Sequence, residues 1–211
     1  MTARGSSRIL LGMTNDPIAK FAEWMKRARR VHRREPTACS LATVGPEGTP
    51  SNRLVLLKGF DQRGFVFYTN FESRKAEDLE RNPNASLCFF WLPWLVLSIP
   101  VYRQVRIEGR CERVPDQESD AYFASRPRGS QIGAWASPQS QVITGRKDLD
   151  QRVKEFERKF AGQKVPRPPY WGGYRLVPER IEFWTSRINR LHDRELYTRD
   201  GDGWKIEVLA P

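Results

Sequence analysis

The sequence has 211 residues, 39% hydrophobic and 29% charged, and its 36 Lys and Arg against 25 Asp and Glu give a formal net charge of +11. Seven Trp, eleven Phe and six Tyr can bury a substantial core, which excludes a disordered or collagen-like chain. The excess of basic residues predicts an anionic partner.

The positive charge is concentrated at the N-terminus. Residues 1–34 contain nine Lys or Arg and two acidic residues, a net charge of +7, whereas the other 177 residues carry +4. Such an arm suits nucleic acid, a membrane surface or a solvated helix face. Because no nucleic-acid recognition motif follows it, we interpret it as a solvated helix face after a flexible basic segment, residues 1–15. Residues 16–211 are expected to form one domain.

The first predicted element is a helix that begins at Asn15-Asp16-Pro17, where a capping residue precedes proline. The apolar residues that follow at helical spacing are Ile18, Phe21, Ala22, Trp24, Met25 and Ala28. After Pro36, the stretches TACSLATV, SNRLVLLKGF and FVFYTN are typical of strands, and the turns GPEG and DQRG separate them. Links of hairpin length predict antiparallel neighbours.

The rest of the chain mixes short helices with strands. A helix is predicted over SRKAEDLERN, strands over ASLCFFW and VYRQVRIEGRCERV, and a helix from Asp116 to about Ser125, with a further turn or two in SQIGAWAS. In RKDLDQRVKEFERKF, the spacing predicts a helix with one buried stripe, formed by Leu149, Val153, Phe156 and Phe160. A C-terminal meander follows. Without a repeated βαβ order, this pattern favours a mainly β (α+β) fold with a closed or partly closed antiparallel barrel.

An uncharged run from Ala85 to Tyr102 has nearly the length that spans a bilayer. Pro93 and Pro100 argue against a continuous helix. We therefore predict two buried strands joined by a proline-containing turn, and no membrane association.

Neither metal nor disulfide chemistry is indicated. Cys39, Cys88 and Cys111 lie far apart, no CxxC pair occurs, and the chain has two His residues. A reducing cytoplasmic compartment is expected. No GxGxxG, GxxxxGK[ST], HExxH or GxSxG motif occurs, which makes the standard dinucleotide, nucleoside-triphosphate and hydrolase sites unlikely.

Several clusters could bind a phosphate monoester and a polar aromatic ring. Arg53 and Lys58 lie on one strand, although a charged edge strand explains them equally well. Tyr68 and Thr69 end a strand just before a helix start at Ser73-Arg74-Lys75, which suits phosphate binding.

Further clusters follow along the chain. The side-chain amide of Gln104 suits the edge of a flavin or a base. Tyr122, Arg126 and Ser130 recur at spacings of four, Gln139-Ser140 is weak in isolation, and Trp184 precedes Arg190-Leu191-His192-Asp193-Arg194. Taken singly, Tyr122 and Arg126 are more often a stacked surface pair, and the Arg190–Arg194 segment is more simply a turn with solvated charges.

Together these stretches resemble the pyridoxamine 5′-phosphate oxidase family from about Asp16 to Pro211. The motifs that carry the resemblance are RLVLLK, FYTNFESRKA, RQVRIEG, YFASRPRGSQIGAWASPQS, VPRPPYWGGYRL, IEFW, NRLHDR and the terminal LAP. The resemblance implies an FMN-binding split barrel that is antiparallel and Greek-key-like, with flanking helices. It also implies a homodimer with FMN at the interface, and neither nucleic acid nor a metal as a ligand.

The resemblance also implies the site residues. The cofactor residues would be Arg53, Leu54, Val55, Leu56, Leu57, Lys58, Tyr68, Thr69, Arg74, Lys75, Gln104, Gln139, Ser140, Trp184 and Arg194. The substrate residues would be Lys58, Tyr122, Arg126, Ser130, Arg190, Leu191 and His192. Among these, Arg190 and His192 would be catalytic.

The reaction implied is oxidation of pyridoxine 5′-phosphate or pyridoxamine 5′-phosphate to pyridoxal 5′-phosphate, in vitamin B6 salvage. A hydride equivalent would pass from substrate C4′ to flavin N5, O₂ would leave as H₂O₂, and the amine would also release NH₃. Two features depart from the family: residues before Asp16 include Arg4 and Arg8 but no Tyr, and an apolar insertion at residues 92–102 makes this stretch about seven residues longer than the family pattern. An inactive or altered-substrate FMN-binding protein of this fold therefore stays an alternative, as does a non-catalytic nucleic-acid-binding module.

Overall fold

A computed structural model describes residues 15–31, 35–96 and 99–211, with side chains for all of these except residues 92–96 and 99. The basic segment that the sequence predicts over residues 1–15 falls outside the described residues, apart from Asn15.

The described residues form five helices and nine strands. The helices are α1 Pro17–Val31, α2 Arg74–Arg81, α3 Asp116–Ser125, α4 Arg128–Ala136 and α5 Arg146–Lys159. The strands are β1 Ala38–Val44, β2 Pro50–Leu56, β3 Gly59–Asp61, β4 Gly64–Asn70, β5 Asn84–Val96, β6 Ile99–Arg113, β7 Trp171–Thr185, β8 Asp193–Asp200 and β9 Gly203–Val208. The expected order of elements is confirmed, and SNRLVLLKGF divides into β2 and β3.

All strand pairs of the described sheet are antiparallel. The strand order is β2-β1-β5-β6-β7-β4-β3, with β8 paired to β7 and β9 to β8. The two ends of this path, β2 and β3, are consecutive in the chain, so the sheet must curl back on itself. At the junction, the Lys58 N–H donates to the Val66 carbonyl at 2.8 Å. The mainly β architecture with flanking helices is thus confirmed.

Helix α1 covers the main core. Asp16 caps it, because its Oδ1 accepts the Ile18 N–H at 2.8 Å, and Pro17 supplies a preset helical φ angle. Phe21 is fully buried, with its ring 4.9 to 5.1 Å from those of Phe60, Phe65 and Phe89 in edge-to-face contact. The amphipathic pattern of α1 therefore places its apolar stripe against core residues of β3, β4 and β5.

The uncharged run from Ala85 to Tyr102 forms an antiparallel hairpin of β5 and β6, as predicted, with a register shift between Trp91 and Trp94. No helix in the described part of the chain is long and apolar enough to cross a membrane.

One prediction about α5 is wrong. Leu149, Val153 and Phe156 are only half-buried, and the fully covered Phe160 lies just beyond the helix. The helix packs mainly against the small helix α4, which has too little surface to cover a full stripe.

Replacing Phe21 by Ala is expected to lower the free energy of unfolding by about 3–5 kcal/mol, because four aromatic rings around it lose contacts. Urea unfolding followed by tryptophan fluorescence measures this. Phe156→Ala on half-buried α5 is the matched control and should cost clearly less. Equal losses would contradict the assignment of Phe21 to the main core.

Candidate functional site

Three cationic side chains converge where β2 lies beside α2. Strand β2 supplies Arg53, and the first turn of α2 supplies Arg74 and Lys75. Burial lowers the pKa of Arg53, and Arg74 lowers it further. Burial, then the charge of Arg53, lowers the pKa of Lys75 to about 8. We call these three residues the cationic cluster; their mutual repulsion marks a place that an anion would stabilise.

Lys75 is held by three oxygen atoms. Its Nζ donates to Gln139 Oε1 at 2.7 Å, to Ser73 Oγ at 3.0 Å and to Thr69 Oγ1 at 3.2 Å. Thr69 Oγ1 also contacts Gln139 Oε1 at 2.9 Å. The loop after α4 thus reaches the end of β4 through Gln139, and the predicted residues Thr69, Lys75 and Gln139 meet.

A groove of about 280 Å³ opens beside this contact. Its lining contains ten of the residues predicted for cofactor or substrate, together with Trp171: Leu54, Val55, Leu56, Lys58, Tyr68, Thr69, Lys75, Tyr122, Arg126 and Gln139. The structure therefore gathers residues from β2, β4, α2, α3 and the loop after α4 into one concave surface.

Three nearly parallel aromatic rings form one wall of the groove. The Tyr68 ring lies 4.1 Å from that of Tyr122 and 5.4 Å from that of Trp171, with interplanar angles of 21° and 9°. A Cβ atom at Gly173 would lie 2.8 Å from the Tyr68 ring. Glycine at this position of β7 therefore allows the stack to form.

Arg126 lies on this wall, with its guanidinium carbon 4.6 Å from the centre of the Trp171 ring. Its Nη1 atom is buried and has no hydrogen-bond partner among the described residues. A second cavity, of about 240 Å³, shares Arg126, Gln139 and Trp171 with the groove and adds Ser130. A buried guanidinium nitrogen without an acceptor is costly, so this position also favours an anionic ligand.

A second group of predicted residues lies elsewhere on the sheet. Gln104, Trp184 and Arg194 occupy directly paired positions on β6, β7 and β8, so their side chains share one face. We call this group the ring cluster. Arg194 is fixed by Glu182, whose Oε1 accepts its Nε–H at 2.8 Å, and the Glu182 side chain is 4% exposed.

The loop between β7 and β8 carries the two predicted catalytic residues. The Arg187 backbone N–H donates to His192 Nδ1 at 3.1 Å, so the neutral imidazole has its proton on Nε2. The His192 ring lies 4.6 Å from the Trp184 ring. Asn189 and Arg190 have φ angles of 58° and 63°, a strained backbone that is frequent at functional sites.

The two groups are far apart along one chain. Thr69 of the groove pairs with Gly172 at the start of β7, and Gln104 pairs with Trp184 near its end. At about 3.3 Å per residue, the path along β7 from Gly172 to Trp184 is roughly 40 Å. The groove and the ring cluster are therefore well separated within one chain.

Some predicted residues are placed differently from the rest. The Leu57 side chain packs in the core, so only its backbone could face a ligand. Ser140 is exposed with a φ angle of 70°, and Arg190 and Leu191 are exposed. No three His, Cys, Asp or Glu side chains among the described residues could hold a metal ion.

Several polar or aromatic residues that contact the predicted cofactor and substrate residues carry no functional signal in the sequence. Trp171 lies within the motif VPRPPYWGGYRL, but its contact with Arg126 joins two residues that are 45 positions apart in the sequence. Glu182, Thr43 and Asp78 are buried polar residues that contact predicted ligand residues. Buried acidic residues are rare without a partner, but the sequence alone does not show burial.

The chain belongs to the pyridoxamine 5′-phosphate oxidase family. The family model described as "Pyridoxamine 5'-phosphate oxidase" matches residues 25–160, and the one described as "Pyridoxine 5'-phosphate oxidase C-terminal dimerisation region" matches residues 171–211. The second match supports the expected homodimer.

Curated relatives agree with this assignment. The chain is 54% identical over 200 residues to the pyridoxine/pyridoxamine 5′-phosphate oxidase of Rubrobacter xylanophilus, covering 95% of this chain and 89% of that protein. It is 55% identical over 196 residues to the enzyme of the same name from Myxococcus xanthus, covering 93% and 92%. The protein is thus an oxidase of this family, and FMN, the cofactor expected from the motifs, is confirmed.

Solved structures confirm the split-barrel fold. PhzG from Burkholderia lata, crystallised with tetrahydrophenazine-1-carboxylic acid, superposes with a TM-score of 0.85 at 32% identity and covers 98% of this chain and 100% of that one. An FMN-binding protein from Nostoc punctiforme, with a TM-score of 0.73 at 19% identity over 94% of this chain and all of that one, shares the fold.

The affinity for FMN is expected to fall above pH 8. Lys75 has a pKa of about 8 without ligand, so it loses its charge as the pH rises, and a dianion then gains less from it. With one proton lost, the dissociation constant should rise by at most about tenfold per pH unit. Flavin fluorescence quenching between pH 7 and 10 measures it.

Lys75→Arg is the matched control for this measurement, because arginine stays charged over that range. The variant should lose the pH dependence. An identical profile in both proteins would contradict the role of Lys75.

Proposed function

We propose that the protein oxidises pyridoxine 5′-phosphate and pyridoxamine 5′-phosphate to pyridoxal 5′-phosphate, with O₂ as the electron acceptor. The alcohol and O₂ give the aldehyde and H₂O₂; the amine, O₂ and water give the aldehyde, H₂O₂ and NH₃. FMN, when bound, supplies the two-electron chemistry. The observation that carries the proposal is the coexistence of two separate cationic positions, the cationic cluster and Arg126, around one groove.

The cationic cluster suits the phosphate of FMN. Besides burial, the charge of Arg74 lowers the pKa of Arg53 and the charge of Arg53 lowers the pKa of Lys75, and the buried carboxylate of Asp78 offsets one of the three charges. Two positive charges remain, against the roughly two negative charges of a phosphate monoester at neutral pH. The first turn of α2 adds the positive end of a helix dipole.

Arg126 suits the phosphate of the substrate. Its Nη1 atom lacks an acceptor, and the Trp171 ring holds the guanidinium plane. The Tyr122 ring lines the same groove, and Ser130 lines the adjoining cavity. A phosphate here would accept hydrogen bonds from donors that the protein has already oriented, which lowers the entropy cost of binding.

Arg190 and His192 are the residues that we assign to the pyridine ring. Because His192 Nδ1 accepts a backbone N–H, Nε2 is left as a donor, so the imidazole orients and polarises a substrate oxygen or nitrogen atom rather than removing a proton through Nδ1. The φ angle of Arg190 fixes the direction in which its side chain leaves the loop.

Each complete site is shared between two chains. Within one chain, β7 keeps the groove and the ring cluster apart. A homodimer with a two-fold axis can bring the groove of one protomer to the ring cluster of its partner, and it then forms two equivalent sites. Phe90 of β5 pairs with Gln104 of β6 and continues the same face of the sheet. Its side chain is 55% exposed.

A second candidate substrate is a carboxylated aromatic ring without phosphate, because PhzG at 32% identity was crystallised with such a ligand. The unpaired Arg126 Nη1 would also donate a hydrogen bond to a carboxylate. The higher identity to the pyridoxine/pyridoxamine 5′-phosphate oxidases favours the phosphorylated substrates.

Anaerobic addition of pyridoxine 5′-phosphate to the FMN-loaded protein is expected to bleach the flavin absorption band, and air should restore it with formation of pyridoxal 5′-phosphate and H₂O₂. Arg190→Ala should lower turnover by about 10²-fold or more without loss of FMN. Bleaching by tetrahydrophenazine-1-carboxylic acid alone would favour the second candidate. An unchanged spectrum with pyridoxine 5′-phosphate, pyridoxamine 5′-phosphate and tetrahydrophenazine-1-carboxylic acid would contradict an oxidase of either kind.

Mixing two inactive variants is expected to restore activity if each site spans two chains. Lys75→Ala damages the groove and Arg194→Ala damages the ring cluster, so a heterodimer has one site with both defects and one intact site. After refolding of an equal mixture, random pairing should give about a quarter of the wild-type activity. Activity no higher than that of the separate variants would show that one chain supplies the whole site.

A further inference from the structure

A buried carboxylate lies directly behind the cationic cluster. Asp78 is on α2, one turn after Arg74, and its side chain is 3% exposed. Its Oδ2 lies 3.6 Å from Nη2 of Arg53, which forms an ion pair between α2 and β2. A buried acidic residue beside a site for a dianion needs a physical reason, since its charge by itself weakens anion binding.

Thr43 connects the two charged groups. Its hydroxyl donates to Asp78 Oδ2 at 2.6 Å and accepts from Arg53 Nη1 at 2.5 Å, and Thr43 is 1% exposed. One hydroxyl group can make both bonds only in one orientation. The carboxylate therefore fixes the direction of the threonine hydroxyl, and the hydroxyl fixes the guanidinium.

Two further contacts complete the position of Arg53. Nη2 donates to Ser51 Oγ at 2.6 Å, and Nη1 approaches the Leu41 carbonyl at 3.4 Å. Five N–H groups are available on a guanidinium, and the contacts with Thr43, Ser51 and Asp78 all involve its terminal nitrogens. The planar group is thereby held in one rotamer between Thr43, Ser51 and Asp78.

We propose that Asp78 and Thr43 are positioning residues for the FMN phosphate: both hold the Arg53 guanidinium in its binding orientation, and the Asp78 carboxylate also offsets part of the charge of the cluster. The proposal rests on the proposed function, because it assigns the cationic cluster to FMN. Neither residue touches the ligand; both act through Arg53.

The direction in which Asp78→Asn changes the affinity for FMN distinguishes this proposal from a purely electrostatic role of Asp78. If Asp78 acts only as a charge, Asp78→Asn removes a nearby negative charge and tightens binding of the dianion. If Asp78 positions Arg53, the same change releases the hydroxyl and the guanidinium and weakens binding. Glu77 provides the control: it is exposed on the same helix, and Glu77→Gln removes the same charge without touching Arg53.

The experiment compares FMN with riboflavin, which lacks the phosphate, by fluorescence quenching on the apoprotein. In Asp78→Asn and Thr43→Val, FMN affinity should fall on the order of tenfold, the loss of about one charge-assisted hydrogen bond, while riboflavin affinity stays unchanged. Thr43→Ser keeps the hydroxyl and should restore the FMN affinity. Glu77→Gln should show no loss.

Tighter FMN binding by Asp78→Asn, or equal weakening for FMN and riboflavin in Asp78→Asn and Thr43→Val, would overturn the positioning role. A failure of Thr43→Ser to restore affinity would overturn it as well. The wild type tests the proposed function separately: if it turns over pyridoxine 5′-phosphate with FMN while the Asp78 and Thr43 variants bind FMN normally, only the positioning role is wrong.

Discussion

Strand β7 hydrogen-bonds to β4 at its start, to β6 along most of its length and to β8 at its end. The groove and the ring cluster both depend on this arrangement, because Gly173 near its start abuts the Tyr68 ring in the aromatic wall of the groove and Trp184 at its end belongs to the ring cluster. The ladder fixes the distance between them, since an extended strand within a sheet cannot shorten. One chain therefore keeps the groove and the ring cluster apart, and this separation is the reason for proposing that two chains share each site.

The groove keeps its cations in an unfavourable arrangement until an anion binds. Burial and neighbouring charge lower the pKa values of Arg53 and Lys75, and Arg126 has a buried nitrogen without a partner. Neighbouring residues offset part of this unfavourable free energy: Asp78 balances part of the charge, and Trp171 covers the Arg126 guanidinium. In the proposed function, such a site would bind a dianion with little reorganisation, because its donors are already desolvated and oriented.

The ring cluster is built in a different way. Glu182 is buried between Arg106 and Arg194, with its two oxygens 3.5 and 2.8 Å from them, so it holds a row of charged side chains on the face of a regular sheet. The adjacent loop has positive φ angles at Asn189 and Arg190, and the Arg187–His192 hydrogen bond stabilises it. Regular strands thus carry the residues that we assign to the flavin, and a short strained loop carries those that we assign to the substrate.

The sequence by itself determined the elements whose signals are local. Proline after Asp16 marked α1, alternation and turn residues marked the strands, and Ser73 before Arg74 marked α2, since these depend on neighbours a few residues apart. Family motifs added the cofactor class. The sequence did not predict that Leu149 and Phe156 are only half-buried, because burial depends on what packs against α5.

Only the tertiary structure decided which predicted residues meet. Thr69, Lys75 and Gln139 are brought together by a loop after α4, the Asp78–Thr43–Arg53 contacts join α2, β1 and β2, and the separation of Thr69 from Trp184 follows from the register of β7. Each of these depends on strand order and side-chain burial. Those are properties of the whole packed sheet, which no local stretch of sequence contains.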